Sequence, residues 1–374
     1  MAGTESELQE IAGLLAALPN LEPEAKMMAT DAVLGRLKSV SAPLAQIVGT
    51  LLAAQPHILS GEVSDKSSAQ RAPRIENVFG AYRGEPLLTD STEPVVDCLI
   101  ITVKEVELEA VLAAFGKSAG EPDDRVAGGR ALRFARHSGV RYGISAVGVD
   151  GNTESAIAFG RLFEVLRPSS AVLIGMAGGV EGEVGIGDVV VTEHVYAYDF
   201  RRVSVEGDIP RFKTSTVSPP LIREAEFHGL NDREWASNVV EELRQVIDSG
   251  LYDTKGGRKP RIGWKPKVKR GGILAGGQLI EDGSLPGFAK SLHDRVKAAE
   301  MEGAGFAAAA SEVDIPWLVL RGIADHGNPK RRKGWQFGAT FVAAAYLRDA
   351  VSAGSLRLGV GDPRGQRVKS LEVV

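Results

Sequence analysis

Apolar residues recur in two rhythms along the 374-residue chain, and the change of rhythm divides it. Up to Ala54 the spacing is helical. Glu5–Leu18, Glu24–Val40 and Ala42–Ala54 are rich in Ala and Leu, and Leu8, Ile11, Leu14 and Leu15 line one stripe. Pro19, Pro23 and Pro43 punctuate these segments. Three such short helices bury little surface alone, so the bundle is expected to pack on the rest of the chain, a sister subunit or a partner protein. From Pro56 to Glu93 the periodicity lapses into Ser, Asp, Lys, Arg, Gly and Pro, as in a linker.

At Val95 the rhythm changes to near-continuous apolar runs. Val95–Val103 predicts a strand covered on both faces. A helix is expected over Glu105–Phe115. Ala131–His137 and Val140–Val147 flank Ser138-Gly139, a two-residue hairpin signal. Further helices are expected at Thr153–Leu166, Leu285–Val296, Gly303–Val313 and Thr340–Val351. Further strands are expected at Ala171–Met176 (broken by Ala177-Gly178-Gly179), Asp188–His194, Gly272–Ala275 and Trp317–Ile323. Alternating strands and helices predict an α/β fold, a mixed central sheet flanked by helices, with a small N-terminal α-helical domain. The expected division is 1–56, an adaptor or oligomerisation domain; 57–93, a linker; 94–356, the α/β domain; and 357–374, a tail. Residues 201–270 read as a loop or ribbon insertion. It ends in a basic run of Lys255, Arg258, Lys259, Arg261, Lys265, Lys267, Lys269 and Arg270, open to reading as a solvated surface or a phosphate contact.

Composition narrows the classes. Charged residues make up 25% and the formal net charge is −4, so no nucleic-acid or membrane partner is expected for the chain as a whole. No apolar run reaches the roughly 18 residues of a membrane helix. The acidic opening MAGTESELQE lacks signal-peptide order, and a cytoplasmic protein is expected. Cys98, the single cysteine, falls in an apolar strand and is read as a buried, inert thiol. Without a cysteine cluster or an HExxH helix, no metal or cofactor is expected. Gly178-Gly179 lack the GxGxxG turn of a dinucleotide-binding domain, which argues against a dehydrogenase.

Open α/β sheets bind ligands at the carboxyl ends of their strands. Four features fall there: Glu107, Ala177-Gly178-Gly179, Glu300-Met301-Glu302 and Asp325. Singly, each carboxylate reads equally as a cap or a solvated residue; their order and spacing together are informative. The segments IGMAGGVEGEVGIGDVVV (Ile174–Val191), AAEMEGAGFA (Ala298–Ala307) and LRGIADHGN (Leu320–Asn328) resemble the purine nucleoside phosphorylase / methylthioadenosine nucleosidase superfamily. The resemblance spans Val95–Val351. It implies cleavage of an N-ribosidic bond, with Asp325 as general acid to the departing purine, Glu302 on the ribose hydroxyls and Glu107 orienting the attacking water, Glu105 and Glu109 being the alternatives for that last role. It also implies substrate contacts from Ala177, Gly178, Gly179, Gln278, Leu279, Ile280 and Met301, and assembly as a homo-oligomer. Breaking that bond develops negative charge on the base, so a protonated acid is needed, and desolvation can raise an Asp pKa to supply it. A carboxylate accepts two hydrogen bonds, which suits a vicinal diol. Glu300 is read as structural.

Two departures from the family pattern matter. Met176 stands where the hydrolases carry a Ser, and no aromatic residue sits near Leu279. The Gly-rich turn offers no hydroxyl for inorganic phosphate, and Lys104 stands where a phosphate loop would begin, which favours hydrolysis over phosphorolysis. Asp325–Trp335 resembles the corresponding stretch of phosphorylase-like effector domains in immune and antiviral-defence proteins. Lys330, Arg331, Arg332 and Lys333 are then either phosphate ligands for a purine nucleotide such as ATP or a solvated loop. Three readings follow: a purine nucleoside or nucleotide hydrolase held until activated within a defence system; a phosphate-dependent salvage phosphorylase; and a catalytically silent nucleotide-binding sensor.

Overall fold

Cys98–Thr102, five fully buried residues, form β1 near the middle of a sheet, where Val- and Ile-rich backbone is covered on both faces. The computed structural model describes residues 95–358 apart from 118–124, 128–129, 200, 205–206, 232–233, 262, 279 and 329–332. The helices expected over 5–54, the linker over 57–93, Leu279, Lys330, Arg331, Arg332 and most of the tail lie outside the described residues.

After β1 come α1 (Glu105–Ala114), β2 (Arg125–Ala127), β3 (Arg130–His137), β4 (Val140–Ala146), α2 (Asn152–Leu166), β5 (Ser170–Gly179) and β6 (Val189–Ala197). Then follow β7 (Arg201–Ser204), β8 (Gly207–Pro210), β9 (Lys213–Thr216), α3 (Pro219–Asn231), α4 (Trp235–Ser249) and β10 (Val268–Ala275). The chain ends in α5 (Leu285–Leu292), β11 (Val296–Glu300), α6 (Gly303–Glu312), β12 (Trp317–Asp325) and α7 (Gln336–Ser352). Ser138 and Gly139 both take positive φ (49° and 82°), so the β3–β4 hairpin closes through the primed turn that its twist favours.

Among the described residues, one ten-stranded sheet runs β11-β10-β6-β12-β5-β1-β4-β3-β2, with β9 beside β6, and β7–β8 form a separate ribbon. The sheet is mixed: β10, β11 and β6 are mutually parallel neighbours, as are β12, β5, β1 and β4, while β6 and β12 run antiparallel. β11 also pairs with β5, Ala298 opposite Gly179 and Ala299 opposite Gly178. That extra pairing closes β5, β12, β6, β10 and β11 into a ring and brings the β11 end beside the β5 end. Helix α7 packs on α1 and on β12, and α2 packs on α6. Gly322 lets α7 approach β12, since a Cβ there would stand 1.9 Å from the Ala339 carbonyl oxygen. No helix of the described residues is long and apolar enough to cross a membrane.

The structure corrects three expectations. The helix expected over Leu285–Val296 stops at Leu292, because His293 turns to extended backbone and Val296 opens β11. Strand β5 is not broken at Ala177-Gly178-Gly179 but runs through Gly179, held by β12 on one side and β11 on the other. Residues 201–270 are more than a loop or ribbon: α3 and α4 lie within them, and α4 buries Trp235, Val239, Val240 and Leu243 along one face.

Candidate active site

The carboxyl ends of β1, β5, β11 and β12 meet around one cleft of about 710 Å³, its open mouth included. Glu107, Glu302 and Asp325 all line it, with Met176, Ala177, Gly178, Gln278, Ile280 and Met301.

Glu107 stands in the first turn of α1 and is 2% exposed. Its Oε2 accepts the amides of Val103 (2.8 Å) and Lys104 (2.9 Å), and its Oε1 accepts the Met176 amide (2.8 Å). The reach back to Lys104 is half of a capping box, so the local helix start fixes this carboxylate. The Met176 contact ties it to the end of β5. Gly175 makes room: a Cβ there would fall 2.5 Å from Glu107 Oε1 and 2.2 Å from Arg321 Nη1.

Glu300 and Glu302 lie just before α6, Glu302 as its N-cap residue. Glu300 accepts the amides of Glu302 (3.0 Å) and Gly303 (2.9 Å) and pairs with Arg321 Nη2. It is a structural cap, as its sequence context predicts. Glu302 accepts the Gly151 amide (3.3 Å) and Arg321 Nη2 (3.3 Å). Burial, then the charge of Glu300, pushes its pKa up to about 8, against the pull of Arg321. Arg321 is fully buried, and its Nε and Nη1 have no hydrogen-bond partner among the described residues.

Asp325 sits at the other end of the cleft. It is half-buried, and its Oδ1 accepts the Gly327 amide at 2.8 Å. Burial raises its pKa, partly offset by that amide and by His326. A bulge aims it: Ile323 pairs with Ala177 and Asp325 with Gly178, leaving Ala324 as an extra residue. Successive strand side chains normally face opposite ways. Here Ala324 and Asp325 both reach the cleft.

The Gly pair divides its work. A Cβ on Gly178 would meet Asp325 Oδ1 at an ordinary 3.6 Å, so this glycine gives the cleft a flat wall. A Cβ on Gly179 would overlap Ile323 (2.6 Å) and Val184 (2.7 Å). Gly179 is therefore a packing residue and, unlike Gly178, does not line the cleft, contrary to its expected substrate contact. The segment carrying Gln278 is steadied from behind. Tyr198 donates to the Gln278 carbonyl (3.0 Å), Asp199 accepts the Gly277 amide (2.7 Å), and Gly276 abuts the Tyr198 ring.

Sequence reasoning missed Arg321, whose partners come together only when β11 and β12 are placed. It also missed Asp150 and Leu285, which line the cleft, and Asn152, whose Oδ1 accepts the amides of Ala304 (2.9 Å) and Gly305 (3.0 Å) at the start of α6. The basic run of 255–270 is partly neutralised within the chain: Lys255 pairs with Asp253, Lys259 with Asp248, and Arg270 with Glu193 and Glu226. Cys98 is buried and its pKa is pushed up to about 12 by desolvation, as suits an inert thiol. Among the described residues no group of three or more His, Cys, Asp or Glu is arranged to hold a metal ion.

The sequence model of the phosphorylase superfamily matches residues 98–354. The chain is 25% identical over 265 residues to the ATP nucleosidase Cap17 of Escherichia coli, covering 69% of this chain and 52% of that protein. It is 31% identical over 157 residues to the 5′-methylthioadenosine/S-adenosylhomocysteine nucleosidase of Mycobacterium tuberculosis, covering 41% and 58% respectively. The chain thus spans about half the length of the curated relatives it matches. Among solved structures, the corresponding nucleosidase of Colwellia psychrerythraea in complex with adenine superposes with a TM-score of 0.52 at 20% identity, over 71% of this chain and 97% of that one. That likeness shows the fold.

Proposed function

The chain belongs to the phosphorylase superfamily, and from that premise we propose that it hydrolyses the N-ribosidic bond of a purine nucleoside or nucleotide, releasing the base. The observation that carries the proposal is the placement of Glu107, Glu302 and Asp325 on one cleft.

In this reading Asp325 protonates a ring nitrogen of the purine as the bond to C1′ breaks. Its raised pKa keeps a proton available nearer neutrality. Glu302 accepts the ribose hydroxyls, with Met301 beside the sugar. Glu107 orients the water that adds to C1′; one proton of that water is lost and the oxygen remains on the sugar. The backbone amides of Val103, Lys104 and Met176, which an incoming phosphate would seek, are already bonded to Glu107. A carboxylate there repels phosphate and accepts from water, which supports hydrolysis over phosphorolysis.

The likeness to the ATP nucleosidase Cap17 supports a 5′-phosphorylated purine, ATP among the candidates, as the substrate. The resemblance of Asp325–Trp335 to effector domains supports a role in antiviral defence, with an activating partner met through the segment before Val95 and a homo-oligomeric state. The deciding experiment incubates the full chain with adenosine, 5′-methylthioadenosine, AMP and ATP, with and without inorganic phosphate, and identifies released base and sugar by mass. Free adenine and a free reducing sugar, independent of phosphate, are expected. A sugar 1-phosphate would establish phosphorolysis, and binding without turnover under every condition would make the protein a sensor.

A further inference from the structure

The cleft wall carries five carboxylates, Glu107, Asp150, Glu300, Glu302 and Asp325, and one cation among the described lining residues, Lys104. Lys104 Nζ lies 3.3 Å from Asp150 Oδ2, and the two side chains are 42% and 41% exposed. An ion pair that open is weakly held and readily exchanged for a better partner.

Sheet order places this pair relative to Asp325. Strands β12, β5, β1 and β4 are successive neighbours; Asp325 closes β12, Lys104 follows β1, and Asp150 follows β4. Strands lie about 4.8 Å apart, so the strand carrying Lys104 is roughly 10 Å from that carrying Asp325. Glu302 belongs to the Lys104–Asp150 end. It accepts the amide of Gly151, the residue after Asp150, and feels the charges of Glu107 and Asp150. Gly327 and His326 act on Asp325.

We propose that Lys104 is the residue that selects a phosphorylated 5′ arm, with Asp150 holding its ammonium until a substrate phosphate displaces it. The inference rests on the N-ribosidic reading above and names the specificity determinant of that site. With the base against Asp325 and the diol on Glu302, the 5′ carbon points along the sheet to Lys104. A phosphate carries more charge than the Asp150 carboxylate and presents more acceptor oxygens, so it wins the ammonium. A 5′-hydroxyl or thioether does not, and the ion pair stays closed over it. The surrounding carboxylates make the selection sharper, because a phosphate misplaced toward Glu107 or Glu302 is repelled.

The test compares kcat/KM for AMP and adenosine in the full-length protein and in Lys104→Met, Asp150→Asn and a triple variant carrying Lys330→Ser, Arg331→Ser and Arg332→Ser. The ratio of the two values cancels differences in active fraction. Lys104→Met is expected to lower the AMP-to-adenosine ratio by about tenfold, the loss of a charge-assisted phosphate contact. Asp150→Asn is expected to raise it by about threefold, because a competing like charge is removed. A Lys104→Met ratio within about twofold of the parent overturns the assignment, given the size of one such contact. So does a collapse of the ratio in the triple variant alone, which would move the phosphate to the run after Asp325. Adenine release that persists with an unchanged ratio sinks this inference and leaves the hydrolase reading standing. Should the parent release base from neither compound nor from ATP, the hydrolase reading fails, and the same ratio taken from calorimetric Kd values decides whether Lys104 binds the phosphate.

Discussion

The carboxylates that follow β1 and β11 and the one that ends β12 are held by different partners. At the β1 and β11 end, Glu107 takes three amides, Glu300 takes two and a guanidinium, and Glu302 shares that same guanidinium. At the β12 end, burial raises the pKa of Asp325, while the Gly327 amide and His326 pull it down. A carboxylate fixed by many donors keeps its position and accepts. One that burial desolvates binds a proton more tightly and can give it up in reaction, and burial raises the pKa of both Glu302 and Asp325 in this way. In the proposed reading, Glu107, fixed by three amides, holds the water and Asp325 transfers the proton.

The largest effect is expected from Asp325→Asn, which removes the proton while keeping the shape: kcat should fall about 10²–10⁴-fold, the usual worth of a positioned acid. Unfolding measured in the same variant should be nearly unchanged. An intact kcat would show that Asp325 is not the acid. Next is Arg321→Met, which leaves Glu300 and Glu302 buried without their cation. It should cost about 3–5 kcal/mol in denaturant unfolding, as for other broken buried pairs. A loss below about 1 kcal/mol would mean that the charge cluster is solvated.

A matched pair of glycine substitutions separates the ends more finely. Gly175→Ala should destabilise by about 1–3 kcal/mol, since its Cβ has no space between Glu107 and Arg321. Gly178→Ala meets Asp325 at van der Waals distance, so stability should stay within about 0.5 kcal/mol while KM rises. Equal stability losses at both positions would erase the contrast.

The smallest effect is on pH dependence. Glu302 has a folded pKa of about 8 against a reference of 4.5, so the folded state holds the proton more tightly than the unfolded chain. Its contribution is fully present below pH 4.5 and is lost as pH rises through about 8. Glu302→Gln should therefore flatten the decline in Tm across that window; an unaltered slope would assign the decline to other groups. The rate has its own sign. Asp325 must carry its proton, so kcat/KM should fall as pH rises through its raised pKa, and Asp325→Asn should remove that limb.

Much of this was legible before the fold was seen. The strands of the α/β part announce themselves as apolar runs, and the three quoted segments carry Glu302, Asp325 and the glycine turn in order. What stayed hidden has physical causes. Leu285–Val296 keeps helical spacing to its end, and only the extended backbone at His293 separates α5 from β11. The amphipathic face of α4 was masked by reading it together with the basic run that follows. Arg321 looks like an ordinary strand residue until β11 brings two glutamates to it. The Lys104–Asp150 pair joins residues 46 positions apart, which no local pattern links.

The additional residue at Ala324 has a consequence for how the chain can vary. Side chains before it on β12 follow the two-residue alternation of the sheet, and Asp325 stands outside that count. Point substitutions in the strand can change its packing without turning the Asp325 carboxylate away. Straightening the bulge at constant length would return Asp325 to the face of Ile323 and turn it from the cleft, so the aim of this group depends on its irregular pairing with Gly178 more than on the identity of its neighbours.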